Sequence, residues 1–215
     1  MSQLLPVFPL PNLILYPGSL VPLHLFEPRY LKMLEDMLAA DASALIAGTL
    51  LPGWEGEYFE SPALYPVAGV GKIQQVRKDE AGNFNLVLSG VERVRIVSEP
   101  ERNEEAIPYR IVLAESLQEE KVSSANAPKE ADALVQALQA FSGGAASHAI
   151  GKSLNYLADV LLVQLPLNMQ EKLELFAKVD ARARAQAVLQ AWADLHRGEL
   201  PPPATPGPNF RPDSN

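Results

Sequence analysis

Pro6, Pro9, Pro11, Pro17 and Pro22 punctuate an otherwise apolar front segment. Each fixes φ and removes a backbone donor, so the short apolar runs between them are confined to edge strands, strand starts and turns. The Pro17-Gly18 pair marks a tight turn. After it, residues 20–26 (Leu-Val-Pro-Leu-His-Leu-Phe) read as a second short strand. Pro28 then stands where a helix can begin, because its missing N–H is one that the first helical turn leaves unpaired anyway. The order is strand, turn, strand, helix.

Tyr30, Met33, Leu34, Met37 and Leu38 share one face of that helix, which is predicted to cover the end of a sheet. Residues 45–49 are a short buried strand. Residues 50–62 are rich in breakers and acids and carry Trp54, Tyr58 and Phe59, which reads as a surface loop. Residues 67–78 and 84–88 form a hairpin across the turn residues 79–83. A further strand is expected at 91–97, where Val94 and Ile96 alternate with Arg93 and Arg95 as if one face were wet. Residues 109–113 close the set. Six or so short strands with Gly and Pro turns and one inserted helix argue for a small barrel rather than a parallel sheet.

Composition changes after Glu115. A polar linker at 118–128 leads to four amphipathic segments. The first carries Leu134, Leu138 and Phe141 and ends at Gly143-Gly144; the second carries Ile150, Leu154, Leu157, Leu161 and Leu165 and stops at Pro166. Asn168 caps the third, with Glu171 at the capping-box position and Leu173 and Phe176 facing inward. Asp180 caps the fourth, whose inner stripe is Ala181, Ala185, Val188, Trp192 and Leu195. Four such stripes on short links are expected to bury one another as a bundle. The proline-rich stretch from 198 onward reads as a disordered tail.

With 215 residues, 47% of them apolar, the chain has enough for one good core or two small ones. A net charge of −8 disfavours nucleic acid as the main partner, since phosphate binding needs a basic surface. The absence of cysteine excludes disulfides, thiolate catalysis and Cys-based zinc sites, and His24, His148 and His196 have no ligand spacing on a common face. No metal or cofactor is expected. The front segment lacks a basic n-region, and no apolar run approaches the roughly 20 residues that span a bilayer. The default expectation is a cytoplasmic protein with no membrane partner.

Phe8-Pro9-Leu10-Pro11, Leu15-Tyr16-Pro17-Gly18 and Pro22-Leu23-His24-Leu25-Phe26-Glu27-Pro28-Arg29-Tyr30 resemble the opening signature of the substrate-binding N-terminal domain of Lon-type ATP-dependent proteases. Gly69-Val70-Gly71-Lys72-Ile73, residues 86–95, Leu157-Ala158-Asp159 and Val179-Asp180-Ala181-Arg182 are similar to that domain's inner strands and trailing helices. The resemblance implies an α+β chain: a six-stranded PUA-like pseudo-barrel with one inserted helix at 1–117, a four-helix bundle at 118–197 and the tail at 198–215. In the full-length protease the chemistry resides in ATPase and Ser-Lys peptidase modules, for which this chain has no length left. The implied role is therefore non-catalytic, holding unfolded or extended polypeptide and serving a separate protease as an adaptor in quality control. Two alternatives follow from the PUA-like fold: RNA binding, through a basic face of Arg77, Lys78, Arg93 and Arg95, and a small-ligand pocket in the barrel.

Individual residues are weighed in the same way. Gly151-Lys152-Ser153 ends a relaxed phosphate-loop pattern starting at Ala146, but no strand precedes it, so an ordinary helix start is expected. His24 is expected to be a hydrogen-bonded strand residue, and Arg29 to pair with Glu27 or another acid. Arg93 and Arg95 are expected on a solvated sheet surface. Trp54, Tyr58 and Phe59 are the candidate polypeptide-binding residues, because aromatic side chains on loops are enriched in recognition hot spots.

Overall fold

The computed structural model describes residues 2–56, 61–141 and 151–197. The tail expected at 198–215 lies outside them, as do Tyr58, Phe59, Gly143, Gly144 and residues 146–150. The element order is β1 (Ser2–Leu10), β2 (Leu20–Leu25), α1 (Pro28–Ala39), β3 (Ala44–Thr49), β4 (Val67–Lys78), β5 (Phe84–Ser98), β6 (Arg110–Ser116), α2 (Pro128–Phe141), α3 (Leu154–Gln164), α4 (Met169–Phe176) and α5 (Ala181–Leu195). The strands form one mixed six-stranded sheet in the order β2-β5-β4-β3-β1-β6, and a further β5–β6 pairing closes five of them into a ring. β1 runs parallel to β3; every other pairing is antiparallel.

The front segment folds as the prolines dictate. α1 starts with Pro28 at its first turn, and Arg29 pairs with Glu27 at 2.9 Å. Tyr30, Met33, Leu34 and Met37 are buried, and Tyr109 donates to Asp36 at 3.0 Å to hold the helix against the start of β6. Leu38, expected on the inner face, is exposed because it sits at the edge of the stripe on the last turn.

One correction concerns β5. The sequence suggests two strands meeting near Gly90, but a single 15-residue strand runs through it. A bulge opposite Val70 and Gly71 bends the strand, which pairs with β4 from Phe84 to Arg95, with β2 on its other side from Phe84 to Ser89 and with β6 from Val94 to Ser98. Gly90 is required for approach, not for a turn. A Cβ there would lie 2.0 Å from the Tyr16 carbonyl oxygen, and one on Gly69 would lie 2.0 Å from that of Leu15.

Those two glycines let the loop between β1 and β2 lie directly on the sheet. Gly18 N donates to Gly90 O and Gly90 N to Ser19 O, both at 2.9 Å, and Gly18 turns the chain with φ +83°. Leu15 is thereby buried among the side chains of α1 and the sheet, including Phe8, Tyr30 and Leu88. Its neighbour Tyr16 enters a separate core, built mainly from α2, α3, α4 and α5.

The helix caps follow the sequence. Ser153, Asn168 and Asp180 each accept from a backbone N–H in the first turn, and Asn168 and Glu171 complete a capping box. Leu154, Leu157, Leu161 and Leu165 are buried, as are Ala181, Ala185 and Val188. Leu195, assigned to the inner stripe, is exposed at the end of α5.

Replacing Gly90 with Ala is expected to cost about 3 kcal/mol or more, since the obstacle is backbone and cannot rotate away. Gly56→Ala, where nothing lies within 4 Å of the added carbon, should stay within about 0.5 kcal/mol of the parent. Urea unfolding of both variants measures the contrast.

Candidate functional site

Arg93 is the largest departure from the sequence reading. Its side chain is fully buried, because α3, α4 and α5 cover this part of the outer face of β5. The guanidinium donates through Nε to the Phe176 carbonyl at 2.9 Å, through Nη1 to Glu119 at 2.8 Å and through Nη2 to Asp159 at 2.5 Å, and lies 4.4 Å over the Phe176 ring. Arg184 from α5 closes the arrangement: Nη2 meets the second Glu119 oxygen, Nε lies 3.1 Å from Asp159 and Nη1 donates to the Lys178 carbonyl at 2.5 Å. Two arginines and two carboxylates thus alternate in a ring of zero net charge.

Burial pushes the Asp159 carboxyl above its ordinary range, and the Arg93 and Arg184 guanidiniums pull against that push. Tyr16 packs edge-on against Phe176 at 5.3 Å, and its buried hydroxyl has no hydrogen-bond partner. Burial and the Asp159 charge raise its pKa, while Arg93 opposes them.

This ionic cluster floors a groove of about 630 Å³ between the sheet and the helices. Pro17, Gly18 and Val91 line it from the strand side; Gln118, Lys121 and Tyr156 line it from the linker and α3. A second hollow of about 100 Å³ shares Pro17, Gly18 and Tyr156 and adds Val160 and Val163. Val91 in the groove and Val163 in the smaller hollow are 45% and 46% exposed, so the two together offer apolar surface to a partner. Asn155 holds its linker wall in place, accepting from Val122 N at 3.0 Å and donating to the Glu120 carbonyl at 2.9 Å.

Several polar groups here are committed to structure. Ser153 Oγ accepts from Tyr156 N as the cap of α3, so Gly151-Lys152-Ser153 is a helix start. Glu92 is taken by the Ser116 hydroxyl. Among the described residues no cluster of three or more His, Asp or Glu could hold a metal ion, and no helix is long and apolar enough to cross a membrane.

The sequence-derived candidates fall elsewhere. Trp54 is half-buried in a short 3-10 turn, Trp54–Gly56, and does not line the groove. Tyr58 and Phe59 lie outside the described residues. His24 is exposed and hydrogen-bonded to Asn85 at 2.9 Å. The basic face proposed for RNA is not assembled: Arg93 is buried, and Lys78 pairs with Glu35 while capping the Phe84 ring. Signals for the missed cluster were present in Asp159, set within the apolar stripe of α3, and Arg184, set among the alanines of α5; a charge on an inner face requires a partner.

The same arrangement of strands and helices recurs in solved Lon domains. The structure superposes on a Lon N-terminal domain protein from Xanthomonas campestris with a TM-score of 0.66 at 21% identity, covering 87% of this chain and 98% of that one. It matches the N-terminal domain of a Mycobacterium avium complex Lon protease with a TM-score of 0.67 at 18% identity, covering 89% and 99%. Residues 4–192 match the model of the ATP-dependent protease La (LON) substrate-binding domain, and the chain belongs to that family. Lon protease 2 of Sorangium cellulosum is 26% identical over 194 residues, 86% of this chain and 24% of the relative. Lon protease 2 of Myxococcus xanthus is 27% identical over 198 residues, 87% and 23%. The chain thus spans about a quarter of the length of these relatives.

Two outcomes test the cluster. Arg93→Met should cost about 3–5 kcal/mol by leaving Asp159 buried and underpaired, and adding Asp159→Leu should restore part of that loss, giving a coupling above about 1 kcal/mol in a denaturation double-mutant cycle. Tyr16→Phe should be neutral or stabilising by about 1 kcal/mol, since it removes an unpartnered buried hydroxyl. A phenol whose folded pKa is raised contributes stability that is present below about pH 10 and lost as pH rises beyond it. Denaturation profiles should therefore fall above that pH, and fall less for Tyr16→Phe.

Proposed function

We propose that this chain is a non-catalytic recognition module that holds unfolded or extended polypeptide in the groove between sheet and helices, serving a separate cytoplasmic protease as an adaptor. The observation that carries the reading is that groove. It is lined by Pro17, Val91 and Tyr156, adjoins the smaller hollow that Val160 and Val163 line, and has the ionic cluster beneath it. Membership of the substrate-binding domain family gives the reading its ligand class.

The closed ring of strand pairings supports taking residues 1–117 as a PUA-like pseudo-barrel lobe, and the shared core of α2 to α5 supports a four-helix bundle at 118–197. β2 is the terminal strand in the sheet order and pairs only with β5 among the described residues. An extended client could add to its free edge at residues other than Pro22, whose nitrogen has no hydrogen to donate. Trp54, Tyr58 and Phe59 remain in the proposal as a second apolar contact on the 50–62 segment.

Capture of a chemically unfolded model protein by the purified chain tests this. Val91→Asp and Tyr156→Ala should each weaken capture about tenfold, and Trp54→Ala should weaken it less. Capture unchanged by both groove substitutions would overturn the assignment of the groove.

A further inference from the structure

Away from the groove, the outer face of β2, β5 and β4 carries a second arrangement of donors. The register aligns His24 with Asn85 and Asn85 with Arg77, then Pro22 with Val87 and Val87 with Gln75, then Leu20 with Ser89 and Ser89 with Lys72. These three rows are exposed or half-exposed, while the alternate residues Leu25, Phe84, Leu86 and Leu88 point into the core. The first two rows line a shallow hollow of about 340 Å³.

Asn85 Oδ1 accepts from His24 Nδ1 at 2.9 Å. With the oxygen committed on the β2 side, the amide Nδ2 is left to donate elsewhere, and the cross-strand neighbour of Asn85 on β4 is Arg77. Two groups with only hydrogens to give therefore adjoin one another, and neither has a partner for them among the described residues. Lys72 on the third row is likewise free of an ion pair. The carboxylate of Asp79, within electrostatic reach of His24, is occupied by its own turn: it accepts from Ala81 N at 3.0 Å, Asn83 N at 2.9 Å and Asn83 Nδ2 at 3.3 Å. On a chain of net charge −8, a face that presents Arg77 and Lys72 with no acid in its rows is complementary to an anion.

We propose that this face docks an acidic, extended segment of a partner polypeptide, one carboxylate bridging Asn85 Nδ2 and the Arg77 guanidinium. The neighbouring apolar side chain of that segment packs on Pro22, Val87 and Leu20, the last of which is 66% exposed. A planar guanidinium beside an amide donor suits the two oxygens of a carboxylate. The apolar row beside so few cations favours a polypeptide over a nucleic acid, whose backbone needs a longer basic track. The proposal does not rest on the groove.

The test uses the whole chain and a short labelled peptide alternating Glu and Leu, followed by fluorescence anisotropy at low and moderate salt. The parent should bind it, more weakly as salt rises. It should bind the Gln-for-Glu version at least about tenfold less tightly. Arg77→Glu and Asn85→Asp, the latter preserving the oxygen that His24 uses, should each weaken binding about tenfold, while Lys129→Glu on exposed α2 should leave it at the parent value. Capture of unfolded protein by the groove should be unaffected by Arg77→Glu. Equal binding of the Glu and Gln peptides, an equal loss in Lys129→Glu, or tighter binding of an oligouridylate than of the Glu peptide would each overturn the proposal.

Discussion

The structure depends on a guanidinium that lies out of water between a strand and three helices. Arg93 leaves the sheet and ends among Asp159 of α3, the carbonyl that closes α4 and Glu119 of the linker, while Arg184 of α5 reaches the same two carboxylates. No single pair in that set would tolerate burial alone, because the cost of removing an ion from water is offset only when its neighbours saturate it. The charges of the ring are paired as a unit, with Arg184 Nε left in ion-pair contact with Asp159 but without a hydrogen bond. The ring accordingly fixes the angle at which the helices sit on the sheet more narrowly than apolar packing would, since oily surfaces slide and charged hydrogen bonds do not.

The Leu15-Tyr16-Pro17-Gly18 loop is the apolar counterpart of that ionic seam. Two adjacent side chains point into two different cores, and the backbone between them rests on Gly69 and Gly90. Tyr16 reaches the Phe176 ring that Arg93 covers, so the loop and the charged cluster meet at one aromatic ring. The groove lies above this junction, with a polar floor and walls that mix Pro17, Val91 and Tyr156 with Gln118 and Lys121.

Features set by local chemistry were legible in the sequence. The proline-bounded strands, the helix opening at Pro28, the Asn168 capping box and the Asp180 cap all depend on residues within four positions of one another. The Glu27–Arg29 pair was readable for the same reason. The expected break between residues 88 and 91 does not occur because a glycine in a strand is compatible with either an interruption or a close approach, and only the partner segment decides which. Arg93 was misread because alternation with Val94 reports that the two residues face opposite ways without reporting what covers either face.

By itself, the sequence determined which segments extend, which coil, and that the front half and the back half are built differently. It also carried the family signature, since that signature lies in contiguous prolines, glycines and aromatics. Tertiary structure alone decided that β5 is one bent strand, that Arg93 faces helices instead of water, and that Val91, Tyr156 and Pro17 share a groove. The physical reason is range: propensity and capping act over a few residues, whereas burial and charge neutralisation are fixed by groups as far apart in the chain as Arg93 and Arg184.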